Sequence, residues 1–154
     1  MKRRIVLLIA LLVIGTLLAV AIQWPAGSVR LEPDNAGVVA QGQRVYQTNC
    51  ASCHGDRLQG QVRDWRKRDA EGYLPAPPHD ASGHTWHHAD KVLFEMTKYG
   101  PQAFAGSDYR SRMPAYAGTL TDREIIAVLS FIKAQWPPGI RKRHDLINKQ
   151  AADR

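Results

Sequence analysis

The chain is poor in sulfur: its 154 residues hold two cysteines and three methionines. There is no second C-x-x-C pair to complete a four-thiolate zinc site. No internal repeat is present, which removes solenoid and array architectures. With 23% charged and 44% apolar residues, neither a disordered nor a collagen-like chain fits. The length suits one domain with extensions rather than two domains. Acidic residues are absent before Glu32, whereas Lys2, Arg3 and Arg4 sit at the start. Removing those three from the 21 basic residues leaves 18 against 14 acidic ones, a net of +4. So mild an excess argues against a nucleic-acid partner and suits an acidic protein face.

After "MKRR" comes an uncharged apolar run over residues 5–22, in which Thr16 is the one polar side chain. Eighteen residues of helix span about 27 Å, close to the hydrocarbon thickness of a bilayer. A secretory leader carries a shorter apolar run, so residues 1–22 are expected to be a cytoplasmic tip and a retained N-terminal transmembrane helix. The competing reading is a cleaved leader, for which Ala19-Val20-Ala21 is an acceptable processing site. Under both, the leading positive charges stay cytoplasmic and the remainder is exported. Residues 23–35, with two prolines, a glycine and Trp24 at an interfacial position, read as a linker, so folding is expected to begin near Ala36.

Both cysteines lie in "CASCHG", residues 50–55. A disulfide between Cys50 and Cys53 would close too short a loop to stabilise much. A thioredoxin-like pair would need a preceding strand, and "AQGQRVYQTN" shows none. A zinc site would need further ligands from distant histidines. The chemistry left is covalent haem attachment, whose signature is C-x-x-C-H. Residues three apart on a helical turn share a face, so both sulfurs reach one side of a porphyrin while His54 turns its imidazole to the iron.

A second axial ligand is sought among the methionines, because Met opposite His raises a haem potential. Met1 is cytoplasmic. Met96 falls in a helix expected over residues 91–99, with Asp90 as N-cap and Gly100 as stop, and reads as a packing residue. Met113 sits in "SDYRSRMPAYAGTL", a loop by its Gly, Ser and Pro content, and Pro114 biases it towards an extended backbone. It is the expected distal ligand.

Two amphipathic segments frame these residues. "AGVVAQGQRVYQTN" puts Val38, Gly42, Val45 and Tyr46 near one stripe. Thr121 and Glu124 form a capping-box sequence ahead of Ile125, Val128, Leu129, Ile132 and Trp136, and Pro137-Pro138 ends that run. Both stripes read as core.

Helix, C-A-S-C-H-G, middle helix, M-P-A-Y and terminal amphipathic helix, in that order over residues 36–136, resemble a class I cytochrome c, more narrowly the membrane-anchored bacterial monohaem type. The resemblance implies a small all-α helical bundle around one covalent haem c, preceded by the transmembrane helix, with residues 137–154 as a basic C-terminal extension. It implies Cys50 and Cys53 as thioether donors, His54 as proximal and Met113 as distal iron ligand, and Gly42 and Tyr46 at the crossing of first and last helices. A proline carbonyl, from Pro75, Pro77 or Pro78, would hold the proximal histidine. The function implied is a membrane-tethered carrier of single electrons, with its soluble part in the periplasm and redox proteins with acidic faces as partners. The alternatives are a haem subunit of a dehydrogenase or oxidase, and a haem sensor or peroxidase-like protein with a labile sixth ligand. "HDASGHTWHH" departs from the pattern by holding His79, His84, His87 and His88. It is read as a haem-propionate loop in which a histidine or Trp86 N–H donates to a carboxylate, against a second metal site of copper or zinc. "RDWRKR", residues 63–68, reads as a solvated loop, and residues 140–150 as a short helix with Ile140, His144 and Ile147 on one side.

Overall fold

Asn35 starts the first helix: its side chain accepts from the Val38 N–H, satisfying one of the donors that a helix N-terminus leaves free. In the computed structural model of the chain, which describes residues 29–106 and 109–153, this helix, α1, runs Ala36–Asn49. A four-residue turn, α2 (Ala51–His54), follows directly. A long irregular stretch leads to a 3-10 turn at Thr85–His87, then α3 (Asp90–Tyr99), α4 (Gln102–Ala105), α5 (Asp122–Ala134) and α6 (Pro138–Ala152). Among the described residues the architecture is all-α, with one isolated bridge between Ala117 and Leu120. The expected anchor over residues 5–22 lies outside the described residues, and no helix among those described is long and apolar enough to cross a membrane.

The core forms where α1 crosses α5. The capping box is present in full: Thr121 Oγ1 accepts from the Glu124 N–H, and the Glu124 carboxylate accepts from the Thr121 N–H. From that start the apolar period of α5 buries Ile125, Val128, Leu129 and Ile132, with Trp136 just beyond. On α1, Gly42, Val45 and Tyr46 are buried, and the Tyr46 and Phe131 rings meet with centroids 5.5 Å apart. Gly42 is the reason the helices can approach. A Cβ there would lie 1.9 Å from the Ala127 carbonyl oxygen and 2.9 Å from Phe131 Cβ. Helix propensity alone disfavours glycine by about 1 kcal/mol against alanine, so close packing decides this position.

Two expectations change. Asp90 is not the N-cap of α3; Ala89 occupies that position without a side-chain cap, and Asp90 is the first helical residue. Its buried carboxylate accepts instead from the Leu31 N–H at 2.9 Å and from Asn148 Nδ2 at 2.9 Å. That bond draws in the supposed linker, where Leu31 is buried in the main apolar cluster and the Glu32 N–H donates to Ser130 Oγ. The described chain therefore engages the core before Ala36.

The C-terminal extension is also docked. His144 is fully buried on α6, its Nε2 donating to the His88 carbonyl at 2.9 Å and its ring edge-on to Trp136. Burial and the neighbouring Lys133 hold this imidazole below its ordinary pKa. Lys133, itself buried, pairs with Asp145 at 2.6 Å. Arg141 on α6 reaches back to Asp34 at 2.6 Å. Helix α6 thus packs on the 3-10 turn, and Asn148 ties it to Asp90 at the start of α3.

At Gly42, packing and propensity predict opposite signs. Gly42→Ala is expected to destabilise the protein by about 1–3 kcal/mol through overpacking, despite alanine being the better helix former. Denaturant unfolding of the haem-loaded protein measures this, and a stabilised variant would contradict the close crossing.

Candidate metal centre

The two thiols and the imidazole come together because α1 ends into α2 without a spacer. Cys50 is both the C-cap of α1 and the N-cap of α2. The Cys53 and His54 N–H groups both donate to the Cys50 carbonyl, at 3.1 and 2.9 Å, so one tight turn carries all three side chains. The thiols are free of each other, Cys50 half-buried and Cys53 exposed. Burial, with Cys53 beside it, pushes the Cys50 thiol up to about 11.

His54 is buried, and its Nδ1 lies 2.8 Å from the Pro77 carbonyl oxygen. A carbonyl can only accept, so Nδ1 carries the proton and Nε2 keeps its lone pair for a metal. Burial lowers the His54 pKa, opposed by this hydrogen bond. Of the three prolines expected to be eligible, Pro77 is the one in contact.

Several features fix that carbonyl. Gly60 and Gly83 pack against the Pro77-Pro78 backbone so closely that a Cβ would lie 2.7 Å from Pro78 N in one case and 1.9 Å from the Pro78 carbonyl oxygen in the other. The Gln61 N–H donates to the Ala76 carbonyl at 3.0 Å. Leu58 adopts φ 66°, a left-handed conformation unusual outside glycine, and its carbonyl accepts from the His79 N–H at 2.8 Å. Beside the His54 imidazole lies His79, stacked on it with centroids 4.0 Å apart. Its Nδ1 is 2.7 Å from Thr85 Oγ1, and its carbonyl accepts from Trp136 Nε1 at 2.7 Å. Burial keeps the His79 pKa well below its ordinary value.

The other loop histidines are dispersed by stacking. His84 lies flat on Trp65 at 5.0 Å and edge-on to His88, while His87 stacks on Trp86. Trp65, read as part of a solvated basic loop, is therefore a buried partner of His84. No three His, Cys, Asp or Glu side chains among the described residues converge on a metal position. Two buried nitrogens, His84 Nδ1 and Trp86 Nε1, have no hydrogen-bond partner among the described residues.

Met113 is half-buried in the irregular segment after α4, its N–H donating to Ser111 Oγ at 3.0 Å. Its link to the thiols is Tyr116, a residue that sequence reasoning missed. The Tyr116 hydroxyl donates to the Asn49 carbonyl at 2.7 Å, one residue before Cys50. Burial, then the nearby Cys50 and Cys53, pushes its phenol up to about 12. On the other side the Tyr116 and Ala117 N–H groups donate to the Thr97 and Lys98 carbonyls of α3. The signal was only the "MPAY" spacing, which does not reveal a partner 67 residues away in sequence.

These residues fit a covalent haem. Two unpaired thiols share a turn with an imidazole whose Nδ1 is engaged, and the Trp86 N–H, without a partner among the described residues, suits a propionate. The family model described as Cytochrome c matches residues 39–136, 98 of the 154 residues. No curated protein and no solved structure matches the chain.

Tyr116→Phe removes a buried donor and leaves the Asn49 carbonyl without it. The variant is expected to lose about 1–2 kcal/mol in chemical unfolding of the haem-loaded protein; an unchanged midpoint would contradict the pin between the two segments.

Proposed function

Because the chain belongs to the cytochrome c family, with haem c covalently attached and a role in electron transfer, we propose that it is a single-electron carrier with His54 and Met113 as the iron ligands. Cys50 and Cys53 are the thioether donors. The observation that carries this reading is the 2.8 Å contact between His54 Nδ1 and the Pro77 carbonyl. It leaves Nε2 as the nitrogen available to iron and orients the ring, as a second-shell acceptor does for metal-bound histidine.

When bound, the haem supplies a one-electron couple. The polypeptide's part is to hold still. His54 is clamped between the Pro77 carbonyl and the His79 ring. Met113 is flanked by a segment anchored through Tyr116 to Asn49. Two protein ligands held in this way leave no open position for oxygen or peroxide, so electron transfer rather than catalysis follows. In the 79–88 loop, the Trp86 N–H would donate to a propionate, and its having no partner among the described residues supports that role.

The apolar run over residues 5–22, behind "MKRR", supports a single-pass anchor with the haem domain on the exported side, in a bacterial inner membrane. A tether confines the carrier near membrane redox complexes and raises its effective concentration there. The net positive charge favours partners with acidic faces, a rate effect that weakens with salt.

Replacing Cys50 and Cys53 together by alanine is expected to abolish covalent haem, seen as loss of haem stain on a denaturing gel and of the haem mass increment. Met113→Ala should keep the haem attached and lower the reduction potential, because a thioether favours ferrous iron. An unchanged potential would remove Met113 from the iron.

A further inference from the structure

The long segment between His54 and Pro77 does more than deliver the Pro77 carbonyl. Residues 69–73 form a self-contained turn. The Asp69 carboxylate accepts from the Glu71 and Tyr73 N–H groups at 3.0 and 2.9 Å, and the Asp69 N–H donates to the Tyr73 carbonyl at 2.9 Å. Gly72, at φ +84°, allows the reversal, and Arg68 donates to its carbonyl at 2.6 Å.

That turn is gripped by two arginines from the Met113 segment. Arg112 pairs with Asp69 at 2.5 Å and with Glu71 at 2.6 Å. Arg110 donates to the Glu71 carbonyl at 2.6 Å and reaches the Tyr73 hydroxyl at 3.4 Å. Both guanidiniums lie over the Tyr73 ring, 3.9 Å from its centroid for Arg112 and 4.6 Å for Arg110. Arg110 and Arg112 thus both face the turn, and Met113 is the next residue along the chain.

We propose that the Asp69–Tyr73 turn is a clasp for the Met113 segment, with Arg112 and Arg110 as positioning residues that keep the thioether on the iron. The proposal rests on Met113 being the distal ligand. One segment then serves both axial ligands: Pro77 holds His54, and Asp69, Glu71 and Tyr73 hold the residue before Met113. Tyr116 fastens the other end of the same segment to Asn49. The pairs are exposed, Arg112 being 52% accessible, so no single one is strong. Their worth lies in two carboxylates, a carbonyl and an aromatic face acting on adjacent side chains, and in a dependence on ionic strength.

The test follows the charge-transfer band that a thioether gives to ferric haem in the near infrared. The oxidised holoprotein is titrated with imidazole, a competitor for the distal position, at low and at high salt. Arg112→Gln is expected to lower the imidazole concentration for half-loss of the band about tenfold at low salt. High salt should move the wild-type protein towards the variant. Asp69→Asn with Glu71→Gln should reproduce the shift, and adding Arg112→Gln to that pair should do little more. Arg112→Lys, which keeps the charge but loses the fork, should recover only part of it. Band loss at wild-type imidazole concentrations in both the arginine and the carboxylate variants would overturn the clasp while leaving the ligand in place. A wild-type protein without the band would remove the ligand reading and the clasp with it.

Discussion

His54 donates its Nδ1 proton to the Pro77 carbonyl, and everything else around the centre is arranged to keep that carbonyl where it is. A free imidazole chooses between two tautomers and rotates about two bonds. Buried against a fixed acceptor it has one tautomer and one orientation, with Nε2 as the remaining ligand atom. The acceptor is dependable because Gly60 packs on the Pro77-Pro78 backbone and Gly83 on Pro78, both too closely for a side chain, and because Leu58 gives up ordinary backbone geometry to catch the His79 N–H. The His79 ring, itself held by Thr85 and through its carbonyl by Trp136, closes the back of the site.

From Trp136 the constraint passes into the part of the chain that looked dispensable. The indole meets His144 of α6 edge-on, His144 holds the His88 carbonyl, and Asn148 and Asp90 tie α6 to α3 and to Leu31. The His54 side is thus backed by contacts reaching both ends of the described chain. The segment carrying Met113 has a lighter hold: a phenol on Asn49, backbone bonds to α3, and arginines on an exposed turn. On the proposed ligation a firm imidazole would face a more lightly secured thioether, a division that a covalent haem permits, since attachment never depends on the weaker side.

The helices were legible in the sequence because their signals are local. The Thr121–Glu124 capping box and the apolar period after Ile125 act over a few residues. Cys50, Cys53 and His54 stood out for the same reason: their spacing is local, and one tight turn carries all three. Pro77 could not be chosen over Pro75 and Pro78, since the choice is made by how Gly60 and Gly83 fold around it. Asp90 resembled a helix cap and proved to be a buried acceptor for Leu31 and Asn148, because a carboxylate near a helix start suits both roles. Tyr116, Arg110 and Arg112 act on residues far away in sequence, and no periodicity announces such a partner.

The central claim is that one iron is held between His54 and the thioether of Met113. Proton NMR of the reduced holoprotein, carrying methionine labelled in its ε-methyl group, tests it directly. Stacked close over the porphyrin, a coordinated methyl falls in the shielding cone of the ring current and moves far upfield of any ordinary methyl. One such resonance is expected, and it should vanish in Met113→Ala while the Met96 signal stays in the normal range. An upfield methyl that survives Met113→Ala, or a reduced spectrum with none, would contradict the account.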